Sequence, residues 1–259
     1  MRHIHIDQVD HIGRPVVAIG NIYPDGHSIA PHHHRRGQLM SAISGLIVLT
    51  TPTGTWVMPP QRGMWIPPCA THNVRMVGTV TMQSLYIEPD AIPDMPDMCQ
   101  VVSISPFVRE LINEALDLPV DYETHGRVGT LMQLLLYEVA QLPPLPLSLP
   151  YPNHTMLATR CRTFTLAPNI HETIDEWCGT LGMSRRTFTR LFRRETSMSF
   201  KAWCLQACLL SAIPRLASGE QVTNVALDLG YENPAAFTLM FKRAFGSPPL
   251  SYLGLRNNK

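Results

Sequence analysis

The sequence predicts a two-domain chain: an N-terminal all-β domain followed by a helix pair, then a C-terminal all-α domain with two helix-turn-helix units joined by a long helix. Three observations carry this. Short β-type runs separated by Gly, Pro and Asn clusters fill residues 16–88. Five prolines crowd the ten positions 143–152, where helix is not sustained. Beyond them every apolar pattern has helical spacing, and one pattern occurs twice. The expected boundaries are residues 1–142 for the first domain, 143–153 for a Pro-rich linker and 154–259 for the second domain. At 259 residues the chain far exceeds what a stable core needs.

Taken in order, the β-type runs are 46–49, 74–77 and 82–87, and Thr51-Pro52-Thr53-Gly54-Thr55 between two runs is a hairpin signal. Phe107, Val108, Leu111, Ile112, Ala115 and Leu116 recur at helical spacing, as do Val128, Leu131, Met132, Leu135, Leu136 and Val139. Ser105-Pro106 reads as the start of the first helix, with Ser105 as cap. The apolar faces of this pair suit packing on the β domain, a dimer surface, or both. Residues 142–152 read as an extended, semi-rigid spacer. After it, helices are expected near 154–166, 170–180, 184–195, 199–217, 222–229 and 233–245.

The whole-chain charge of +1 conceals an asymmetry. Residues 1–150 carry 8 Lys/Arg against 13 Asp/Glu, whereas residues 151–259 carry 13 against 7. An acidic half is fused to a basic half. Apolar runs at 39–49 and 131–142 are broken well short of the ~20 residues a membrane span needs. The first residues lack a secretory h-region, so a cytoplasmic location is expected. The six cysteines form no CxxC pair and read as free thiols.

Within the basic half, Cys178, Leu181, Gly182, Ser184, Phe188 and Phe192 are answered 48 to 49 residues later by Ala226, Leu229, Gly230, Asn233, Phe237 and Phe241. In each copy a small residue lets two helices cross closely. Gly permits a left-handed turn, Ser or Asn caps the next helix, and an i,i+4 Phe pair faces inward. Each copy reads as a helix-turn-helix. In the first, Arg185, Arg186, Thr189, Arg190, Arg193 and Arg194 form one exposed face with five arginines in ten residues. That composition suits phosphate neutralisation and guanine recognition on double-stranded DNA. The second copy presents Ala235, Thr238 and Leu239, with Lys242 and Arg243 one turn on, which suits phosphate anchoring with weaker base readout.

Residues 154–253, through the stretches 182–196 and 225–253, resemble the AraC/XylS family of bacterial transcription regulators. The resemblance implies a sequence-specific DNA-binding regulator whose two reading helices are joined by a long helix at 199–217. It also implies base contacts from Arg186, Thr189, Arg190, Ala235, Thr238 and Leu239, with RNA polymerase as a further partner. The chain departs from the family at Cys204 and Cys208, where relatives often carry arginine, and at Pro214, which predicts a kink near Leu210.

In the acidic half, Gly26, His32-His33-His34, Gln38 and Gly45 resemble the first cupin motif with Gln in place of Glu, and Pro67–His72 resembles the second. His32 and His34, as alternate residues of one strand, should share a face, with Gln38 and His72 converging on them inside a small barrel and His33 facing away beside Arg35 and Arg36. Three imidazoles and an oxygen donor suit iron, nickel, manganese or zinc. A metal-free effector pocket and an inert barrel remain alternatives. Segments 54–60 and 64–68 resemble the efflux and nitroimidazole-resistance regulator-like subgroup, which implies control of an adjacent efflux transporter gene and makes Trp56 and Trp65 candidates for an effector pocket. The expectation is therefore a small-molecule- or metal-responsive regulator, not an enzyme, forming a homodimer through the 105–141 helices. The competing reading is a metal-dependent cupin enzyme fused to a DNA-binding domain. Glu88 and the acids at 94 and 97 follow the last β run and read as loop residues, which leaves that enzyme without an acid/base pair.

Overall fold

The computed structural model describes residues 6–8 and 10–254. They form two compact units, one of residues up to Thr51 with Trp56–Leu147, the other of Pro52–Thr55 with Ser148 onward.

The first unit holds strands β1 (Val16–Tyr23), β2 (Ser28–His32), β3 (Gly37–Thr51), the part of β4 (Gly54–Met58) from Trp56 on, β5 (Arg62–Ile66), β6 (His72–Ile87) and β7 (Gln100–Ser103). Helices α1 (Pro106–Asp117) and α2 (Gly126–Ala140) and strand β8 (Pro144–Leu145) follow. The strand order is β1-β6-β3-β5-β7-β8, with β2 also on β6 and β4 on β3. The runs 74–77 and 82–87 belong to one long strand, β6, whose register against β3 shifts near the positive-φ residue Gly78. Two residues, Pro52 and Thr53, separate β3 from β4, as the hairpin signal required. Ser105 caps α1, accepting from the Val108 amide at 3.2 Å. The buried faces Val108, Leu111 and Ile112 of α1 and Met132, Leu135 and Val139 of α2 pack with Val16, Leu39, Trp65 and Leu85 of the sheet. Each side chain fully buried there contributes roughly 1.5–3 kcal/mol.

The Pro-rich stretch is extended but is not a free spacer. Pro144 and Leu145 pair with Val102 and Val101, and the Ser103 amide donates to the Pro143 carbonyl at 2.9 Å. Proline lacks a donor but keeps its acceptor, which an edge position can use.

The second unit holds a short strand β9 (Ser148–Pro150) and helices α3 (Thr155–Leu166), α4 (Ile174–Leu181), α5 (Arg185–Thr196), α6 (Phe200–Ala217), α7 (Val222–Asp228), α8 (Pro234–Phe245) and α9 (Pro249–Tyr252). Helix α4 begins later than its apolar pattern, because Thr173 and Glu176 form a capping box there. The Trp177 ring meets Phe188, Phe192, Phe200 and Trp203 edge-on, which fastens the first head to the start of α6. At its other end Arg215 pairs with Glu220 and Asp228. Pro214 lies inside the last turn, and the helix continues past it to Ala217. The loop before α4 docks on the turn of the second head: the Ile170 amide donates to Leu229 O at 3.0 Å, and His171 Nε2 to Gly230 O at 2.7 Å.

Candidate functional site

Two groups of residues carry chemistry, one in each unit. In the second unit, Gly182 ends α4 in the left-handed region and Ser184 caps α5, accepting from the Thr187 amide at 3.2 Å. Phe188 and Phe192 are fully buried beneath. The helix is thereby rotated so that Arg185, Arg186, Thr189, Arg190, Arg193 and Arg194 are all exposed. Arg185 pairs with Asp175 and Arg194 with Glu195. Arg186, Arg190 and Arg193 make no ion pair among the described residues, so they face solvent as free donors.

The second copy repeats the build. Asn233 accepts from the Ala236 amide at 2.9 Å to cap α8, and Phe237 and Phe241 are fully buried. Ala235, Leu239, Lys242 and Arg243 are exposed and Thr238 is half-buried, so the five candidates share one accessible face of α8. Cys204 and Cys208 lie buried in α6, and burial holds the Cys208 thiol up at about 12. Protonated, shielded thiols are poor metal ligands and poor nucleophiles.

In the first unit, the ligand atoms of His32, His34 and His72 all lie within 4.8 Å of one another. Strand β2 ends at His32, so His34 stands in the extended residues after it and not on the same strand; the two rings still converge, their centroids 6.1 Å apart. His33 is exposed, as alternation requires. Arg36, expected beside it, is instead fully buried, held by Asp10, Glu88 and the carbonyls of Ile12 and Arg14. Glu88 is thereby occupied in a structural ion-pair cluster.

All three imidazoles are set the same way. His32 Nδ1 lies 2.9 Å from Ala30 O, His34 Nδ1 2.6 Å from Arg36 O and His72 Nδ1 2.8 Å from Ala70 O. A carbonyl only accepts, so each Nδ1 carries the proton and each Nε2 is left with a lone pair in the neutral ring. Burial pushes His72 down to about 4 and lowers His34, so these two rings are neutral near pH 7.

His72 Nε2 is buried with no hydrogen-bond partner among the described residues. His34 Nε2 lies 3.0 Å from Gln38 Oε1. The Gln38 amide nitrogen donates to Ser84 Oγ at 2.9 Å and to Tyr86 OH at 3.1 Å, which orients its oxygen inward. Two acceptors thus face each other beside a third, unpaired acceptor. An electron-pair acceptor among them satisfies all three, so the donor set fits a divalent transition metal. Sequence reasoning missed Ser84 and Tyr86. Their signal was polar residues two apart on β6, with Tyr86 directly across from Gln38 in the register.

The two tryptophans separate. Trp65 pairs with Leu39 across β3 and β5, one residue from Gln38 and therefore on the opposite sheet face. Its ring packs beneath α1 and α2 with such close approach to Gly37 that a Cβ there would lie 2.3 Å from it. Trp65 packs in the core cluster, its indole N–H donating to Pro96 O at 2.8 Å. Trp56 is also buried, and its indole N–H has no partner among the described residues.

Comparison with known proteins identifies the two domains. The family description of an AraC-like ligand binding domain matches residues 15–140, and that of a helix-turn-helix domain matches residues 177–254. The HTH-type transcriptional regulator NimR of Escherichia coli (strain K12) is 34% identical over 222 residues, covering 86% of this chain and 81% of that protein. Among solved structures, ToxT from Vibrio cholerae is 8% identical, with 95% of this chain and 100% of that one covered at a TM-score of 0.40. The C-terminal domain of AraT from Geobacillus stearothermophilus is 20% identical over 39% of this chain and 88% of that one, at a TM-score of 0.34. The chain belongs to the AraC family, as a DNA-binding transcription regulator with a sheet-rich, cupin-like ligand-binding domain at its N-terminus and a helix-turn-helix domain at its C-terminus.

Proposed function

We propose that this regulator is metal-responsive, with His32, His34, His72 and Gln38 holding iron, nickel, manganese or zinc, and that it reads DNA through α5 with α8 as anchor. The observation that carries the metal is the common setting of three Nδ1 protons on backbone carbonyls, which turns three Nε2 lone pairs and one amide oxygen into a ready donor set. A bound cation would supply charge and fixed ligand geometry, drawing β2, the loop at His34 and the start of β6 together. Differential affinity of the cation for two conformations of the protein then drives the response.

Base readout is assigned to Arg186, Thr189 and Arg190, and phosphate contact to Arg193, Lys242 and Arg243. The role proposed is regulatory, and the Glu88 carboxylate is tied to Arg35 and Arg36. The DNA-binding role supports a cytoplasmic location, and no described helix is long and apolar enough to cross a membrane. Exposed Phe107 of α1 and Leu134 and Tyr137 of α2 support a homodimer through these helices, with RNA polymerase as a further partner on the promoter. Control of an efflux gene rests on the likeness of segments 54–60 and 64–68 alone.

The test is elemental analysis of protein purified without chelator or histidine tag, beside His32→Ala/His72→Ala. Stoichiometric metal in the parent and its loss in the variant support the reading. No metal after reconstitution with iron(II), nickel and zinc overturns it, and leaves an organic effector reached by Trp56.

A further inference from the structure

Helix α6 is not the only connection between the two reading heads. The short segment 169–173 leads into α4 and bonds to both heads at once. On one side it holds the turn of the second head, between α7 and α8. The Ile170 amide donates to Leu229 O at 3.0 Å, and His171 Nε2 donates to Gly230 O at 2.7 Å. The Asn169 side chain lies against Gly230, so close that a Cβ there would sit 2.6 Å from Asn169 Oδ1. The same oxygen accepts from the His171 amide at 2.9 Å, which holds the backbone that carries the imidazole.

On the other side the segment is anchored in the first head. Glu172 accepts from Trp177 Nε1 at 2.7 Å and pairs with Arg160 of α3, and the Trp177 ring packs on Phe188 and Phe192 of α5. Thr173 caps α4. The two anchorages fall on neighbouring residues, His171 and Glu172, and a residue spans at most about 3.6 Å, so the strap has no slack to give. These bonds are not part of the helix-turn-helix build itself. The carbonyls that end α7 need donors from outside the helix, and the strap supplies two of them. The matching carbonyls of the first copy, at Leu181 and Gly182, accept from no other segment among the described residues.

We propose that His171 is a positioning residue for DNA recognition, which fixes α8 relative to α5 through Gly230 and so sets the spacing between the two boxes that the protein accepts. This rests on the two-headed readout proposed above. Moving one box by a base pair shifts it about 3.4 Å along the duplex and turns it about 34° around the axis. The second head follows a displacement of that size by breaking the bonds at Leu229 and Gly230, and DNA with the wrong spacing bears that cost.

The test is selection of the full chain on a randomised duplex library, then fluorescence anisotropy on the enriched sequence and on versions with one base pair added or removed between the boxes. The parent should return two boxes at one spacing. In His171→Ala the preference for that spacing should fall about fivefold, the worth of one hydrogen bond. Base preference inside each box should stay as in the parent, since His171 is exposed and both head cores are left intact. His171→Gln, whose amide N–H reaches about as far as the imidazole Nε2–H, should restore the preference. A residue that only stabilised the fold would change affinity for all spacings alike. Spin labels at Arg193→Cys and Lys242→Cys, in a Cys69→Ser chain, read the same geometry without DNA. One narrow distance is expected, broadened by His171→Ala. An unchanged spacing preference or an unchanged distance distribution in His171→Ala overturns the positioning role alone. A parent that enriches a single box overturns the two-headed readout, and this proposal with it.

Discussion

Replacing Gly230 with alanine tests how firmly the two reading heads are clamped. Gly230 has φ +88°, and a Cβ there would lie 2.6 Å from Asn169 Oδ1. The positive φ costs an alanine about 1–2 kcal/mol. Asn169 Oδ1 accepts from the His171 amide at 2.9 Å, so moving it aside forfeits a further ~1 kcal/mol. The expected destabilisation is therefore about 2–3 kcal/mol, confined to the second unit. Urea unfolding followed by indole NMR reads this directly, because Trp177 and Trp203 report on the second unit and Trp56 and Trp65 on the first. Asn169→Ala in the same background separates the two contributions. Its own cost is about 1 kcal/mol, yet the double variant should be no less stable than Gly230→Ala alone, since the clash and the lost bond are one event. A loss below ~0.5 kcal/mol for Gly230→Ala, or additivity in the double variant, would refute the reasoning.

Arg190→Ala should leave the melting temperature unchanged, since Arg190 makes no ion pair among the described residues, and should cost about 1–3 kcal/mol on preferred DNA by fluorescence anisotropy. Equal loss on random DNA would reject base readout by this residue. Lys242→Ala should weaken binding uniformly across sequences and lower the salt slope by about 1, and an unchanged slope argues against phosphate contact. Ellman's reagent should modify one thiol quickly in the native protein, Cys69, because the other five cysteines are buried. A second fast thiol would show that the α6 cysteines are more accessible than their packing allows.

The helix-turn-helix copies were legible because their signals are local. Gly182 and Gly230, the caps Ser184 and Asn233, and the two Phe pairs each act within a few residues, and the structure places all of them as the spacing required. The start of α4 was readable too, in Thr173 and Glu176, although the apolar pattern alone placed it earlier. The imidazole site was partly legible: spacing marked His32, His34, His72 and Gln38. The groups that aim Gln38, Ser84 and Tyr86, come from a strand more than forty residues away, and only β-sheet register brings them there. Trp56 and Trp65 look alike in sequence, but strand parity sends Trp65 to the helix-covered face.

Helix α6 is fixed at one end by the Trp177 aromatic cluster and at the other by Arg215 with Glu220 and Asp228. The heads it joins are copies in fold but unlike in surface, arginine on one and apolar contact with two cations on the other. A single chain therefore has no symmetry of its own to impose on DNA. Under the proposed readout the site has a direction, with one box read in detail and one mainly held, joined through a helix roughly 27 Å long. Inverting such a site in a promoter exchanges the two ends of the protein relative to the start of transcription, so orientation, and not sequence alone, becomes part of what the regulator reads.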